Sequence, residues 1–377
     1  AASDVYKRQI IYYPCLTSVL SWLSARYTLV FITSIAPDFP LLGLGAAAGA
    51  ETVLGPECMS LAMFYMCCAY AVNALSPKLA GKLQVSTTII KLIPLFLMAI
   101  VGIVVGIANG TLANNFNTLA DVGTTSTNPL FASVCATAFA YEGWIIATSI
   151  NAELKDAKKN LPRALIIGAI IIIATYIFYY VGVAGGATNQ ELIDSGATVA
   201  FINVFGNVLG NILNLFIAIS CIGTMNGLML GCVRGLYSIA VRGRGPAPHV
   251  FSQIDKETNM PHNSAIVGLL LCGFWGLYFF LANLAGTWSG PFVFDSSELP
   301  IITIYMLYLP IFVMWIKKAT DETAMRRYVL PLLAICGSLF MIYASIMGHG
   351  IACFWYLIVF AAVMAVGFAF SKEKPIN

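Results

Sequence analysis

The residues best able to do chemistry are Phe139-Ala140-Tyr141-Glu142-Gly143-Trp144, halfway along an apolar stretch from about Asn128 to Ile150. A carboxylate at the centre of a membrane span costs roughly 2.5–3.5 kcal/mol even on mild insertion scales, so Glu142 needs a partner, a water-filled cavity or a ligand. Gly143 follows it directly. A helix interrupted at that depth leaves backbone carbonyls and amides that are tolerated only where they line a cavity. The stretch is therefore predicted to be a broken membrane helix at a substrate site.

The rest of the chain must hold that break in a bilayer. Of 377 residues, 59% are hydrophobic and 10% charged, against about 25% charged in a soluble domain, which makes this an integral membrane protein with one polytopic domain. Apolar windows fall at roughly 10–33, 57–75, 85–109, 128–150, 161–186, 213–240, 263–284, 298–318, 328–347 and 350–370, giving ten predicted transmembrane helices. Residues 38–56, with Pro37, Pro40 and many Gly and Ala, are predicted to be an outer loop, and 198–212 an amphipathic helix at the outer surface. If the N-terminus is cytoplasmic, every Lys and Arg except Arg26 and Arg234 falls on the inner side or near it. The opposite loops then carry Asp38, Glu51, Glu57, Asp121, Glu191, Asp194 and Asp295. That asymmetry predicts both termini in the cytoplasm of a multi-pass plasma-membrane protein, with 371–377 as a cytoplasmic tail.

Several functions are excluded on composition. The net charge is +3, and no basic run or aromatic-interleaved patch suggests nucleic acid. The ten cysteines include no CxxC pair and mostly lie inside predicted spans, so they are read as small apolar filler. His249, His262 and His349 show no pair at helical spacing, and no two carboxylates share a membrane depth, so neither a metal site nor an acid/base couple is visible. No cofactor is expected, and a membrane enzyme such as an acyl or prenyl transferase fits poorly. The chain begins at Ala1 without methionine, so residues 1–9 are set aside as a non-native or disordered stretch of a fragment.

After the break comes Glu153-Leu154-Lys155-Asp156-Ala157-Lys158-Lys159-Asn160-Leu161-Pro162-Arg163-Ala164. Locally this is a basic loop and a helix restart, with Asn160 suited to the N-cap and Pro162 to the first turn. Together, the aromatic-Ala-Tyr-acid-Gly-Trp break and this Glu-x-x-Asp-x-x-x-Asn-Leu-Pro-Arg-Ala loop resemble the sixth helix and following loop of the amino acid/polyamine/organocation transporter superfamily. The opening span, with Tyr12-Tyr13-Pro14 and Ser24-Ala25-Arg26-Tyr27-Thr28, is similar to the family's third helix. The resemblance extends over most of residues 10–370, and on that register the chain carries helices three to twelve of an expected twelve.

What the resemblance implies is an all-α, LeuT-like fold of two inverted five-helix repeats, with substrate held between two broken helices, the first and the sixth. In that family the first break gives amides to the substrate carboxylate and the sixth offers carbonyls to its amino group, as half-helix dipoles favour. Phe139 is then an aromatic lid, or else packing, and the backbone of Phe139, Ala140 and Tyr141 forms the ammonium side. Glu142 either faces the cavity or caps the second half-helix. The resemblance puts Lys91 in helix five, where sodium-independent members place an ammonium in the position of a coupling sodium. The competing reading is a lysine snorkelling to the inner interface, since it lies only about six residues, or ~9 Å, from that end. Ser220 and Thr224, four apart on the helix-eight segment, would partner Lys91, or would simply allow close packing together with Gly223 and Gly227. Asn226 is assigned to the cavity border.

The leading expectation is a secondary amino acid transporter working by alternating access, independent of sodium and either proton-coupled or an exchanger. Phe139 suits neutral amino acids, while Glu142 keeps a cationic amino acid or a polyamine open. A non-transporting amino acid sensor on the same scaffold is the alternative from another class. Because helices one and two fall outside this register, residues 1–377 alone are expected to insert without transporting.

Overall fold

The computed structural model describes residues 7–36, 55–118, 128–141, 143–144, 156–288 and 290–370. Among these residues every regular element is helical, and nine helices are long and apolar enough to cross a membrane. The protein is an all-α membrane protein. In chain order the helices are α1 (Arg8–Ile35), α2 (Pro56–Leu75), α3 (Lys78–Ala108), α4 (Thr111–Asn117), α5 (Pro129–Tyr141), α6 (Ala157–Gly186) and α7 (Asn189–Ser195). They continue with α8 (Ala197–Phe205), α9 (Asn207–Ala240), α10 (Pro248–Phe251), α11 (His262–Leu284), α12 (Leu299–Lys318), α13 (Met325–His349) and α14 (Ile351–Ala369).

α6 shows why lipid decides the secondary structure. Its Ile170-Ile171-Ile172-Ile173 run is β-branched, a poor helix former in water. Within a bilayer, however, each backbone polar group must be paired inside its own segment, and a helix achieves that. Ile166 and Ile170 remain 61% and 62% exposed, so this face is built for acyl chains rather than for a protein core.

The chain divides into two compact units. The first comprises Ala1–Val19, Thr124–Glu142 and Leu228–Asn377. Its core gathers Ile11, Cys15, Cys135, Trp275, Tyr278, Phe294, Leu299 and Tyr356. Buried polar groups there find backbone partners: Trp275 Nε1 donates to the Ile10 carbonyl at 2.7 Å, and Ser18 Oγ to that of Cys272 at 2.6 Å. Lys7 Nζ donates to the Pro300 carbonyl at 2.6 Å and Gln9 Nε2 to that of Cys232 at 2.8 Å, and both side chains are fully buried. Residues 7–9, set aside on sequence grounds, are thus helical or lead into the helix, and are built into this core.

The second unit comprises Leu20–Gly123 and Gly143–Gly227. Here α3 and α6 meet through glycines. A Cβ on Gly102 would collide with the Gly182 carbonyl, and one on Gly182 with that of Met98. The contact falls where α3, after the interior Pro94, widens into a π-type turn over Met98–Gly102. Met98, Val183, Ala200, Phe201 and Leu213 fill the adjoining core. Asn115 of α4 caps the end of α6, its Nδ2 donating to the Ala184 and Ala187 carbonyls at 2.7 and 2.8 Å.

Some boundaries differ from the sequence windows. α9 begins at Asn207 rather than near 213, so the 198–212 segment, expected to be one amphipathic helix, divides between α8 and the first turns of α9. α6 begins at Ala157, after Asp156 at φ 50°, rather than at an Asn160 cap, and Pro162 lies inside it. All ten cysteines are unbridged.

Candidate substrate and ion-position site

α5 contains 13 residues and stops at Tyr141. At 1.5 Å per residue it spans about 20 Å, short of the roughly 30 Å hydrocarbon thickness. Its end coincides with the Phe139–Trp144 motif. Gly143 stands at φ +116°, a conformation that any L side chain adopts only under strain, and Gly143 and Trp144 form a turn. A helix ending there directs the carbonyls and negative dipole end of its last turn beyond Tyr141. Such an end attracts a cation or an ammonium group.

Around this end, Phe139 is half-buried, while Ala140, Tyr141 and Trp144 are exposed. Elsewhere on α5, Cys135, one turn before Phe139, and Ala138 are buried. Phe131 meets Tyr343 of α13 edge-on, with ring centroids 5.3 Å apart, which anchors the first turn of α5. Glu142 and residues 145–155 lie outside the described residues, so the two readings of Glu142 stay as the sequence left them.

The ion-position candidates belong to the second unit, on the seam between α3 and α9. Lys91 is half-buried and its electrostatic neighbour is Cys221, the residue after Ser220. Further along the seam, Gly223 lies against Thr87 and Gly227 against Gln84. Ser220 is half-buried, and Thr224 is exposed with its Oγ1 donating to the Ser220 carbonyl at 3.0 Å. That bond ties the Thr224 hydroxyl to its own helix. Asn226 is 2% exposed and fully engaged between helices: it accepts from Asn73 Nδ2 at 2.8 Å and donates to the Ala80 carbonyl at 3.1 Å.

Two features escaped sequence reasoning. Asn73 was not singled out in the sequence, although a buried amide opposite another is a strong helix-pairing signal once the partner is known. The second is a cluster of Cys135, Glu298 and His349 in the first unit, whose ligand atoms all lie within 4.8 Å of one another. Helical spacing within one segment could not reveal it, because the three residues belong to three different segments.

Comparison with known proteins agrees with this architecture. The chain is 26% identical over 341 residues to the serine/threonine exchanger SteT of Bacillus subtilis, covering 88% of this chain and 72% of the exchanger. It is 29% identical to the Asc-type amino acid transporter 1 of Mus musculus, covering 70% of this chain and 46% of the transporter. To the cystine/glutamate transporter of Homo sapiens it is 25% identical, covering 70% of this chain and 49% of that protein. The chain thus spans about half the length of the mammalian relatives it matches. These relatives carry the names of transporters and exchangers, not of enzymes. A model of the amino acid permease family matches residues 5–370, nearly the whole sequence, and the chain belongs to that family, within the amino acid/polyamine/organocation superfamily.

Proposed function

We propose that this protein is a secondary amino acid transporter of the plasma membrane, with both termini cytoplasmic, working by alternating access without sodium and by exchange of one amino acid for another. The observation that carries the reading is the end of α5: a 13-residue apolar helix stops at Tyr141 before a left-handed Gly143. In a bilayer an interrupted backbone is tolerated only beside protein, water or ligand. The substrate ammonium sits at the carbonyl end of α5, and Phe139 closes over the side chain.

Lys91 supplies the fixed positive charge that replaces a coupling sodium, facing the Ser220–Thr224 turn of α9. Its neighbour Cys221 supports that pairing of helices. Exchange rather than proton coupling is favoured by the relative named a serine/threonine exchanger, and small neutral amino acids are the first substrates to try.

Equilibrium binding tests the site itself. With the protein expressed from its complete reading frame, labelled serine or threonine should bind and be displaced by neutral amino acids, with polyamines ineffective. Phe139→Ala should weaken that binding at least tenfold. Displacement by polyamines in preference to amino acids would overturn the substrate assignment.

A further inference from the structure

We propose that Cys135, Glu298 and His349 form a zinc site. The three side chains converge from three segments: Cys135 lies on α5, Glu298 immediately precedes α12, and His349 is the last residue of α13. His349 Nε2 stands 3.1 Å from Glu298 Oε2, and all three ligand atoms lie within 4.8 Å of one another. A tetrahedral zinc ion with thiolate at ~2.3 Å and nitrogen or oxygen at ~2.0–2.2 Å requires ligand separations of about 3.3–3.6 Å.

The donor set suits zinc better than other common ions. Thiolate, imidazole and carboxylate together match a borderline-soft ion, whereas calcium and magnesium call for oxygen ligands alone. Three protein ligands leave a fourth position for water. The neighbouring loop supports the site from behind: Asp295 Oδ1 accepts from the Ser297 and Glu298 amides at 2.7 and 2.8 Å, fixing the segment that presents Glu298. Thiol, imidazole and carboxylate are also the parts of a nucleophilic triad. Cys135, however, is 1% exposed and packed in the aromatic core, so only an ion-sized ligand reaches it. The route in passes Glu298 and His349, whose side chains are 23% and 15% exposed.

On binding, the Cys135 thiol releases its proton to solvent and His349 coordinates in its neutral form. The ion then ties α5, the helix that ends at the break, to α12 and α13.

Cobalt(II) titration of the purified protein tests this without any transport measurement. One equivalent should give a tetrahedral visible spectrum with a thiolate-to-cobalt band in the near ultraviolet, and zinc should displace both. Cys135→Ser and Cys135→Ala should lose the thiolate band, and His349→Gln and Glu298→Gln should weaken zinc binding at least tenfold while eluting as the native species. Zinc should also raise the thermal unfolding midpoint of the parent protein but not of His349→Gln. Absence of stoichiometric cobalt binding, or a thiolate band that persists in both Cys135 variants, overturns the site.

Discussion

Asn73 Nδ2 donates to Asn226 Oδ1 at 2.8 Å, joining α2 to α9 through two buried amides, and Asn226 Nδ2 passes the link on to the Ala80 carbonyl of α3 at 3.1 Å. Removing the Asn226 amide breaks the links to Asn73 Nδ2 and to the Ala80 carbonyl, and leaves Asn73 Nδ2 with the Ala69 carbonyl of its own helix at 2.9 Å. Asn226→Ala should therefore cost about 1–2 kcal/mol, visible as a lower unfolding midpoint in detergent. Asn73→Ala/Asn226→Ala should lose less than the sum of the single variants. An Asn226→Ala protein with unchanged stability and altered substrate affinity would instead place that residue at the cavity.

The glycine seam between α3 and α6 makes a sharper contrast. Gly102→Val forces a side chain into the Gly182 carbonyl and should destabilise by about 1–3 kcal/mol or more, with loss of monodisperse protein in size exclusion. Gly168 lies on the same α6 with open space around it. Gly168→Ala should be neutral or raise stability by up to about 1 kcal/mol through helix propensity.

The loop before α11 carries a pH dependence outside the membrane. Asp255 is held below the usual carboxylate range, first by the Thr258 amide at 2.8 Å, then by the Thr258 hydroxyl at 2.9 Å and the Glu257 amide at 3.0 Å. A depressed folded-state value means this contribution is present above the ordinary aspartate value of about 3.9 and is lost as pH falls through the lower folded value. Hydrogen exchange at the Thr258 amide should be protected at neutral pH, and Asp255→Ala should remove that protection. Equal protection in both proteins at neutral pH would show that the turn stands without the carboxylate.

The legible and illegible parts of this protein differ in physical kind. Lipid solvation acts on every residue of a span, so the all-helical membrane class was written in composition, and the Ile170–Ile173 run needed no propensity argument. The end of α5 was also readable, because a carboxylate beside a glycine at mid-span conflicts with a continuous helix. What composition could not supply was pairing between distant segments. Asn73 with Asn226, and Cys135 with Glu298 and His349, become informative only when helices far apart in sequence are brought together. Local starts were equally hard: Asn160 and Pro162 are good helix-start residues, yet α6 begins at Ala157, because Pro162 removes only one hydrogen bond and the apolar run beyond it holds the helix.

Transport is tested most directly by counterflow into liposomes bearing the protein expressed from its complete reading frame, preloaded with unlabelled neutral amino acids, with and without sodium. Labelled serine or threonine should enter rapidly whether or not sodium is present, and Phe139→Ala and Lys91→Ala should each reduce that uptake at least tenfold. Binding of the same amino acids without any counterflow would contradict transport and identify a sensor on this scaffold. Uptake that requires sodium would contradict the role assigned to Lys91.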